Sequence, residues 1–379
     1  MKKLYFLIAF ALIISSVLGQ KTSKVITHGG TARSYIEYVP AIHNNTTPVP
    51  LVICLHGLGD DMNNFYGIGM NRVADTANFI VLTPQALVAS VFGYVVGTAW
   101  NSGAGYMGVT LNSTIDDVGF IQALIDTTSR LYNIDSKRIY VCGFSMGGFM
   151  SNRLACEKSN KIAAIASVAG TIGSGLAACH PVRPIPVCHF HGTADSTVYY
   201  TGNLYGSDAE ALVSFWRNNN QCVTSPVYKE FPNTASDNMT VENYFYSAPT
   251  TGADVEFYKV IGADHWWLFL PNNDVSYTVE IWRFLSQYVL PDGWGISDKQ
   301  ANEDIIVYTD ANKTNVIVQN LASNSLIIKI FDINGRYINA QSSDDREIAL
   351  PITNYSKGIL LIEVYDKVKN ISTCYKVCL

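Results

Sequence analysis

The chain has 379 residues, 48% of them hydrophobic and only 15% charged, with a formal net charge of -5. That composition supplies apolar surface for a large core and excludes an intrinsically disordered chain. No dense Lys/Arg run occurs, so the electrostatic footprint of a nucleic-acid surface is missing and no nucleic-acid partner is expected.

Met1-Lys2-Lys3 precede an apolar run from Leu4 to Leu18 and the small residue Gly19. A charged start, a short apolar core and a small-residue exit read as a secretory signal over residues 1–19. The run falls short of the about 20 residues that span a bilayer comfortably. A secreted protein with no membrane span after signal removal is therefore expected.

From Pro50 onward, apolar strand-like runs alternate with helical periodicity, the pattern of a mostly parallel sheet with helices on both faces. Leu51 to Leu55 is a buried strand ending in His56-Gly57, and Phe79 to Thr83 is another, stopped by Pro84. A glycine-rich aromatic loop runs from Gly93 to Gly108. Ser113-Thr114-Ile115-Asp116 predicts a helix start, and Val118, Ile121, Ile125 and Tyr132 follow at helical spacing. Arg138 to Cys142 is a short strand, followed at once by a glycine-rich turn and a helix to Glu157. Further strands are expected over Ile162 to Ala169, Ile185 to Phe190 and Val255 to Ile261, with helices over Asp208 to Asn218 and Val275 to Val289. These elements place an α/β catalytic domain at residues 20–290. Pro, Gly and polar residues make 291–303 a linker. Beyond it the period is two, and Asn334-Gly335 is a hairpin dipeptide, so 304–379 reads as a small all-β sandwich.

Eight cysteines in an exported chain suggest disulfides. Cys156 and Cys179, which flank one strand and its loop, are the favoured pair, whereas Cys54 and Cys142 lie in apolar strands and read as buried free thiols. Cys188-His189-Phe190-His191 looks superficially like metal ligands, but alternate strand residues face opposite ways, so no metal is expected there.

Gly143-Phe144-Ser145-Met146-Gly147 matches G-x-S-x-G, and it falls between a predicted strand and a predicted helix. A serine at the tip of such a turn needs glycines around it because the backbones pack too closely for side chains. A hydroxyl also needs a base. Among seven histidines, His265 in Gly262-Ala263-Asp264-His265-Trp266 follows the last strand, where this fold delivers its base, while His56 and His191 end strands and shape loops. His28 and His43 lie in a polar N-terminal stretch before the sheet. The acid should lie between serine and histidine in sequence. Asp195, after a strand end in His191-Gly192-Thr193-Ala194-Asp195, is preferred over Asp208, Asp237 and Asp254, and Asp264 reads as a loop-fixing or exposed residue. Backbone N–H groups of Met146 and Leu58 are the expected oxyanion donors.

Ala99-Trp100-Asn101-Ser102-Gly103, Asp116-Asp117-Val118-Gly119-Phe120, the Gly-Phe-Ser-Met-Gly-Gly elbow with Arg153-Leu154-Ala155-Cys156, and the two segments bearing Asp195 and His265 resemble the polyhydroxybutyrate-depolymerase/feruloyl-esterase group. The resemblance covers Tyr35 to Leu290 and implies an α/β-hydrolase fold and a serine esterase that needs no cofactor. It also implies feruloyl or acetyl esters of plant polysaccharide as substrates, or short polyesters. A serine peptidase and a non-catalytic polysaccharide-binding protein on a hydrolase scaffold are the rivals. The group's usual glycine before the histidine is Asp264 here, which bears on the acyl pocket. Trp100 and Trp266 are expected as apolar substrate walls, with Trp267 divided between wall and loop packing. The segment from Lys329 to Arg336, with Lys357-Gly358-Ile359, resembles the sorting domain read by the type IX secretion machinery, which would be a partner.

Overall fold

The computed structural model describes residues 19–175, 179–204, 206–291, 304–310, 314–332, 337–352, 359–369 and 371–378. The predicted leader up to Leu18, residues 292–303 of the predicted linker, the Asn334-Gly335 dipeptide and Lys357-Gly358 lie outside the described residues. The chain divides into two compact units, Met1–Gly295 and Ile296–Leu379.

In the first unit the strands are β1 (Gln20–His28), β2 (Thr31–Val39), β3 (Val49–Leu55), β4 (Ile80–Pro84), β5 (Leu87–Val91), β6 (Tyr94–Ala99), β7 (Gly105–Tyr106), β8 (Val109–Thr110), β9 (Ile134–Phe144), β10 (Ala164–Val168), β11 (Val187–Gly192), β12 (Val227–Glu230), β13 (Thr240–Tyr246) and β14 (Val255–Ile261). Its α-helices are α1 (Met62–Phe65), α2 (Met70–Ala77), α3 (Asp117–Leu131), α4 (Met146–Lys158), α5 (Ala209–Asn220) and α6 (Tyr277–Leu285). Ten strands form one sheet in the order β1-β2-β4-β3-β9-β10-β11-β14-β13-β12. The centre, from β4 through β14, is parallel, and both edges are antiparallel. This is the α/β-hydrolase arrangement.

Alternation along the central strands builds two cores. Leu51, Ile53 and Leu55 of β3 face one side with α3, α4 and α5, while Val52 and Cys54 face the other with α2 and α6. Because both faces are covered, β3 is buried along its whole length, which is why it reads as an unbroken apolar run. The predicted buried thiols Cys54 and Cys142 sit side by side in β3 and β9, their sulfurs 3.6 Å apart. Cys156 and Cys179 form a disulfide, with Cα atoms 4.9 Å apart.

Three features differ from the sequence reading. The N-terminal stretch is the β1–β2 hairpin rather than a lead-in to the sheet; its alternating exposure and polar sequence hide a period-two edge. The Gly93 to Gly108 loop contains parts of two small hairpins, β5–β6 and β7–β8. The cap of α3 is Asp116, whose side chain accepts the Gly119 N–H, so the helix begins three residues after Ser113's turn.

The neighbouring Asp117 is fully buried. Its Oδ1 lies 2.6 Å from Nη2 of buried Arg33, and its Oδ2 accepts the Asn101 N–H at 2.7 Å. Burial pushes the Asp117 carboxyl up, opposed by that N–H and the guanidinium. The Arg33 guanidinium also lies over the Phe120 ring, 3.8 Å from its centroid. The pair thus ties β2 to the start of α3 and to the segment after Trp100. Replacing Asp117 by alanine leaves a buried unpaired cation, a loss of about 3–5 kcal/mol. A matched Arg33→Met/Asp117→Leu double variant is expected to recover most of it in denaturant titrations.

In the second unit, β15 (Ile305–Thr309), β16 (Asn315–Asn320) and β19 (Glu347–Pro351) make one antiparallel sheet. β17 (Leu326–Asp332), β18 (Tyr337–Ser343), β20 (Ile359–Asp366) and β21 (Ile371–Cys378) make the other. Val316, Val318 and Leu350 from the first share one core with Leu326, Ile328, Ile362 and Val364 from the second, as a sandwich requires. Among the described residues no helix is long and apolar enough to cross a membrane.

Candidate active site

Strand β9 runs into α4 through Ser145, which sits at φ 53° and ψ -120°. That backbone conformation is disfavoured for a residue with a side chain and is held here by its surroundings. The Ser145 N–H donates to the Val168 carbonyl at 2.8 Å. Two glycines permit the turn by close approach: a Cβ on Gly143 would lie 2.2 Å from the Gly147 carbonyl oxygen, and one on Gly147 would lie 2.0 Å from that of Leu55. Any larger residue would drive α4 away from the ends of β3 and β9.

His265 follows β14, and its Nδ1 lies 2.8 Å from Oδ2 of Asp195, which follows β11. The Asp195 side chain is fully buried, and its Oδ1 accepts the N–H groups of Thr197 (2.9 Å) and Val198 (2.8 Å). The loop of the acid and the loop of the histidine are joined by Asp264. Its Oδ1 accepts from Ser196 N–H (2.8 Å), Ser196 hydroxyl (2.9 Å) and His265 N–H (2.8 Å). Those three donors hold the Asp264 carboxyl below the ordinary range. The departure at this position therefore fixes loops, as its sequence suggested. The Phe144 ring packs on His265, with centroids 4.7 Å apart.

Ser145, His265, Leu58 and Met146 line one cavity of about 540 Å³. Met146 is the first residue of α4, and a helix leaves such N–H groups without an intrahelical acceptor. Leu58 follows a loop end set by His56. The His56 Nε2 accepts the Ala86 N–H at 3.0 Å, so its Nδ1 carries the proton and donates to the Gly57 carbonyl at 2.7 Å. Burial pushes the His56 imidazole down, in keeping with that neutral ring.

The tryptophans differ from expectation. Trp100 is fully buried and donates from Nε1 to the His56 carbonyl at 2.9 Å. An indole N–H taken out of water needs an acceptor, and this one supports the Leu58 loop from behind instead of forming a substrate wall. Trp266 is exposed but lies outside the cavity lining. Trp267 packs edge-on to Phe65 and Phe144 and donates to Thr278. The cavity's aromatic walls are Tyr106, Phe144, Phe149 and Tyr199. Tyr106 lies in the two-residue strand β7 and Tyr199 in a turn, neither with a periodic signal, whereas Phe144 and Phe149 flank Ser145 closely enough to have been named from the elbow.

Behind the site, His189 and His191 are buried on β11, and burial pushes both imidazoles down, His189 strongly. Their folded pKa values lie below the unfolded value of about 6.5, so the unfolded chain binds more protons at acid pH. Their stabilising contribution is present above about pH 6.5 and lost as pH falls through the folded values, each histidine adding a slope of up to about 1.4 kcal/mol per pH unit. The melting temperature is expected to fall on going from pH 7 to 5, and His189→Gln to flatten that fall.

A model of the phospholipase/carboxylesterase family matches residues 38–239, just over half of the chain. The chain is 28% identical over 264 residues to a bifunctional acetylxylan esterase/xylanase of Neocallimastix patriciarum, covering 69% of this chain and 34% of that protein. It is 38% identical over 128 residues to feruloyl esterase B of Piromyces equi, covering 32% of this chain and 23% of that protein. It is 30% identical over 240 residues to feruloyl esterase D of Neurospora crassa, covering 62% and 74%. The chain thus spans about a third and about a quarter of the first two relatives and about three quarters of the third. With the sheet order, the strained serine turn and the Asp195–His265 pair, these matches lead to one assignment: the chain belongs to the phospholipase/carboxylesterase family.

Proposed function

We propose that the protein is a secreted serine esterase that cleaves feruloyl or acetyl esters of plant cell-wall polysaccharide through an acyl-enzyme. The observation that carries the reading is the Asp195–His265 hydrogen bond, opening onto the same cavity as the strained Ser145. In this mechanism His265 takes the Ser145 proton as the hydroxyl oxygen attacks the ester carbonyl. The oxyanion is held by the N–H groups of Met146 and Leu58. The alcohol leaves with the proton from His265, and a water activated by the same imidazole releases the acid. Asp195 holds the imidazole in the tautomer that can accept at Nε2.

A neutral ester suits the cavity. Residues 76–115, which supply the Tyr106 wall, contain no Asp, Glu, Lys, Arg or His. Asp60 is the one carboxylate among the described lining residues, and no Lys or Arg joins it. Names of relatives, an acetylxylan esterase and two feruloyl esterases, point to acyl groups of this kind. The same neutrality suits a short polyester, which keeps polyester depolymerisation as the second reading.

Export rests on the leader-like residues 1–19 and on the likeness of 304–379 to a type IX sorting domain. Deleting 304–379 in a host with that machinery is expected to retain the esterase in the cell; unchanged export would remove the sorting role. For the substrate, acid released from feruloylated xylan, acetylated xylan and polyhydroxybutyrate should be measured against Ser145→Ala. Ferulate or acetate release lost in the variant supports the proposal. Hydroxybutyrate alone moves it to the polyester reading. No release from any of them would leave a non-catalytic binding protein.

A further inference from the structure

We propose that His189 and His191 are positioning residues, linked in a buried hydrogen-bond chain of fixed polarity that sets the orientation of Asp195. The inference rests on the reading of Ser145, His265 and Asp195 as a triad.

His189 and His191 lie two residues apart on β11 and so face the same side of the sheet, both buried. The Ser167 hydroxyl is 2.7 Å from His189 Nδ1, His189 Nε2 is 3.1 Å from His191 Nδ1, and His191 Nε2 is 2.7 Å from the Val198 carbonyl oxygen. A carbonyl can only accept, so His191 carries its proton on Nε2. A neutral imidazole has one N–H, so His191 Nδ1 accepts and His189 donates from Nε2. His189 Nδ1 then accepts the Ser167 hydroxyl proton. Every link follows from the last acceptor, and a second proton on His191 would set its Nδ1–H against the Nε2–H of His189.

The chain ends on a residue that also holds the acid. Val198 accepts from His191 through its carbonyl and donates through its N–H to Asp195 Oδ1. With the Thr197 N–H on the same oxygen, Oδ1 is committed to backbone and Oδ2 is left for His265. His191 Nε2 is also 3.5 Å from Asp195 Oδ2, but the shorter approach to the carbonyl decides where its proton points. Charges facing His191 come from Asp195, Asp208 and His265, and the Tyr200 ring lies edge-on at 5.7 Å. The Phe257 ring stacks on His189 at 5.7 Å. Val198 lines the catalytic cavity as well, so the lock that orients the acid also fixes a wall beside the serine.

The test uses the full chain in two arms. Nitrogen-15 histidine spectra of the wild type should show both rings as Nε2–H tautomers that do not titrate between about pH 8 and 6. A Nδ1–H tautomer or a titrating ring would overturn the chain. In the second arm, His191→Phe keeps a ring but no donor, and His191→Gln keeps a donor near the Nε2 position. Per active site, His191→Phe should lower kcat at least about tenfold with KM changed far less, and His191→Gln should recover part of the loss. Full kcat in a folded His191→Phe would overturn the role. Near-normal turnover in Ser145→Ala would instead sink the triad reading, with the tautomer spectra still judging the chain.

Discussion

Replacing Ser145 by alanine is expected to lower ester turnover by about a million-fold while leaving the fold intact, because the nucleophile and its base act as a unit. The backbone at Ser145 stays in the same strained turn, since that turn is set by Gly143 and Gly147 packing against neighbouring carbonyls and not by the hydroxyl. Alanine keeps a Cβ of the same size, so the close approach of Gly57 to the Ser145 Cβ is unaffected. Melting temperature should therefore stay within a degree or two, and substrate binding should survive. A variant that lost both activity and stability would point to a structural serine. Residual rate above water would measure what the Met146 and Leu58 donors supply without a nucleophile.

Asp195→Asn is expected to cost about 10⁴-fold in kcat. The carboxylate accepts on both oxygens: Thr197 and Val198 N–H groups on Oδ1, His265 Nδ1 on Oδ2. An asparagine placed there keeps its oxygen on the two backbone donors and turns its amide toward His265. That amide can only donate, so the imidazole must accept at Nδ1 and carry its proton on Nε2, the atom that should take the serine proton. The geometry survives and the tautomer is wrong. The measurement is kcat across pH: the loss should be largest near neutrality and shrink at alkaline pH, where hydroxide can replace the missing base. Near-normal turnover would remove Asp195 from the site.

The centre of the sheet was legible because strands covered on both faces are buried and largely apolar, as in β3, an unbroken apolar run, and β10, where Ser167 is the one polar residue. The edges were not. β13 reads Thr-Val-Glu-Asn-Tyr-Phe-Tyr and β1 is mostly polar, because each has at least one wet face and their pairing is set by neighbours rather than by their own composition. At the site, spacing and chain order singled out Ser145, Asp195 and His265, and the geometry brings Asp195 and His265 together beside the serine's cavity. Side-chain direction was the part beyond reach. Trp100 lies in a motif-bearing loop and reads as a wall, yet its Nε1–H finds the His56 carbonyl inside the protein. His189 and His191 similarly read as loop shapers or failed metal ligands, because a hydrogen bond between two neutral rings leaves no mark in sequence.

The most direct measurement is the site of acylation during turnover. The enzyme should be mixed with a feruloyl or acetyl ester, quenched in acid within one turnover, and digested for mass spectrometry. The acyl group is expected on the peptide containing Ser145, absent in Ser145→Ala and accumulating in His265→Ala only to the extent that attack still occurs. An acyl group on another residue, or full turnover with Ser145 never modified, would contradict the account.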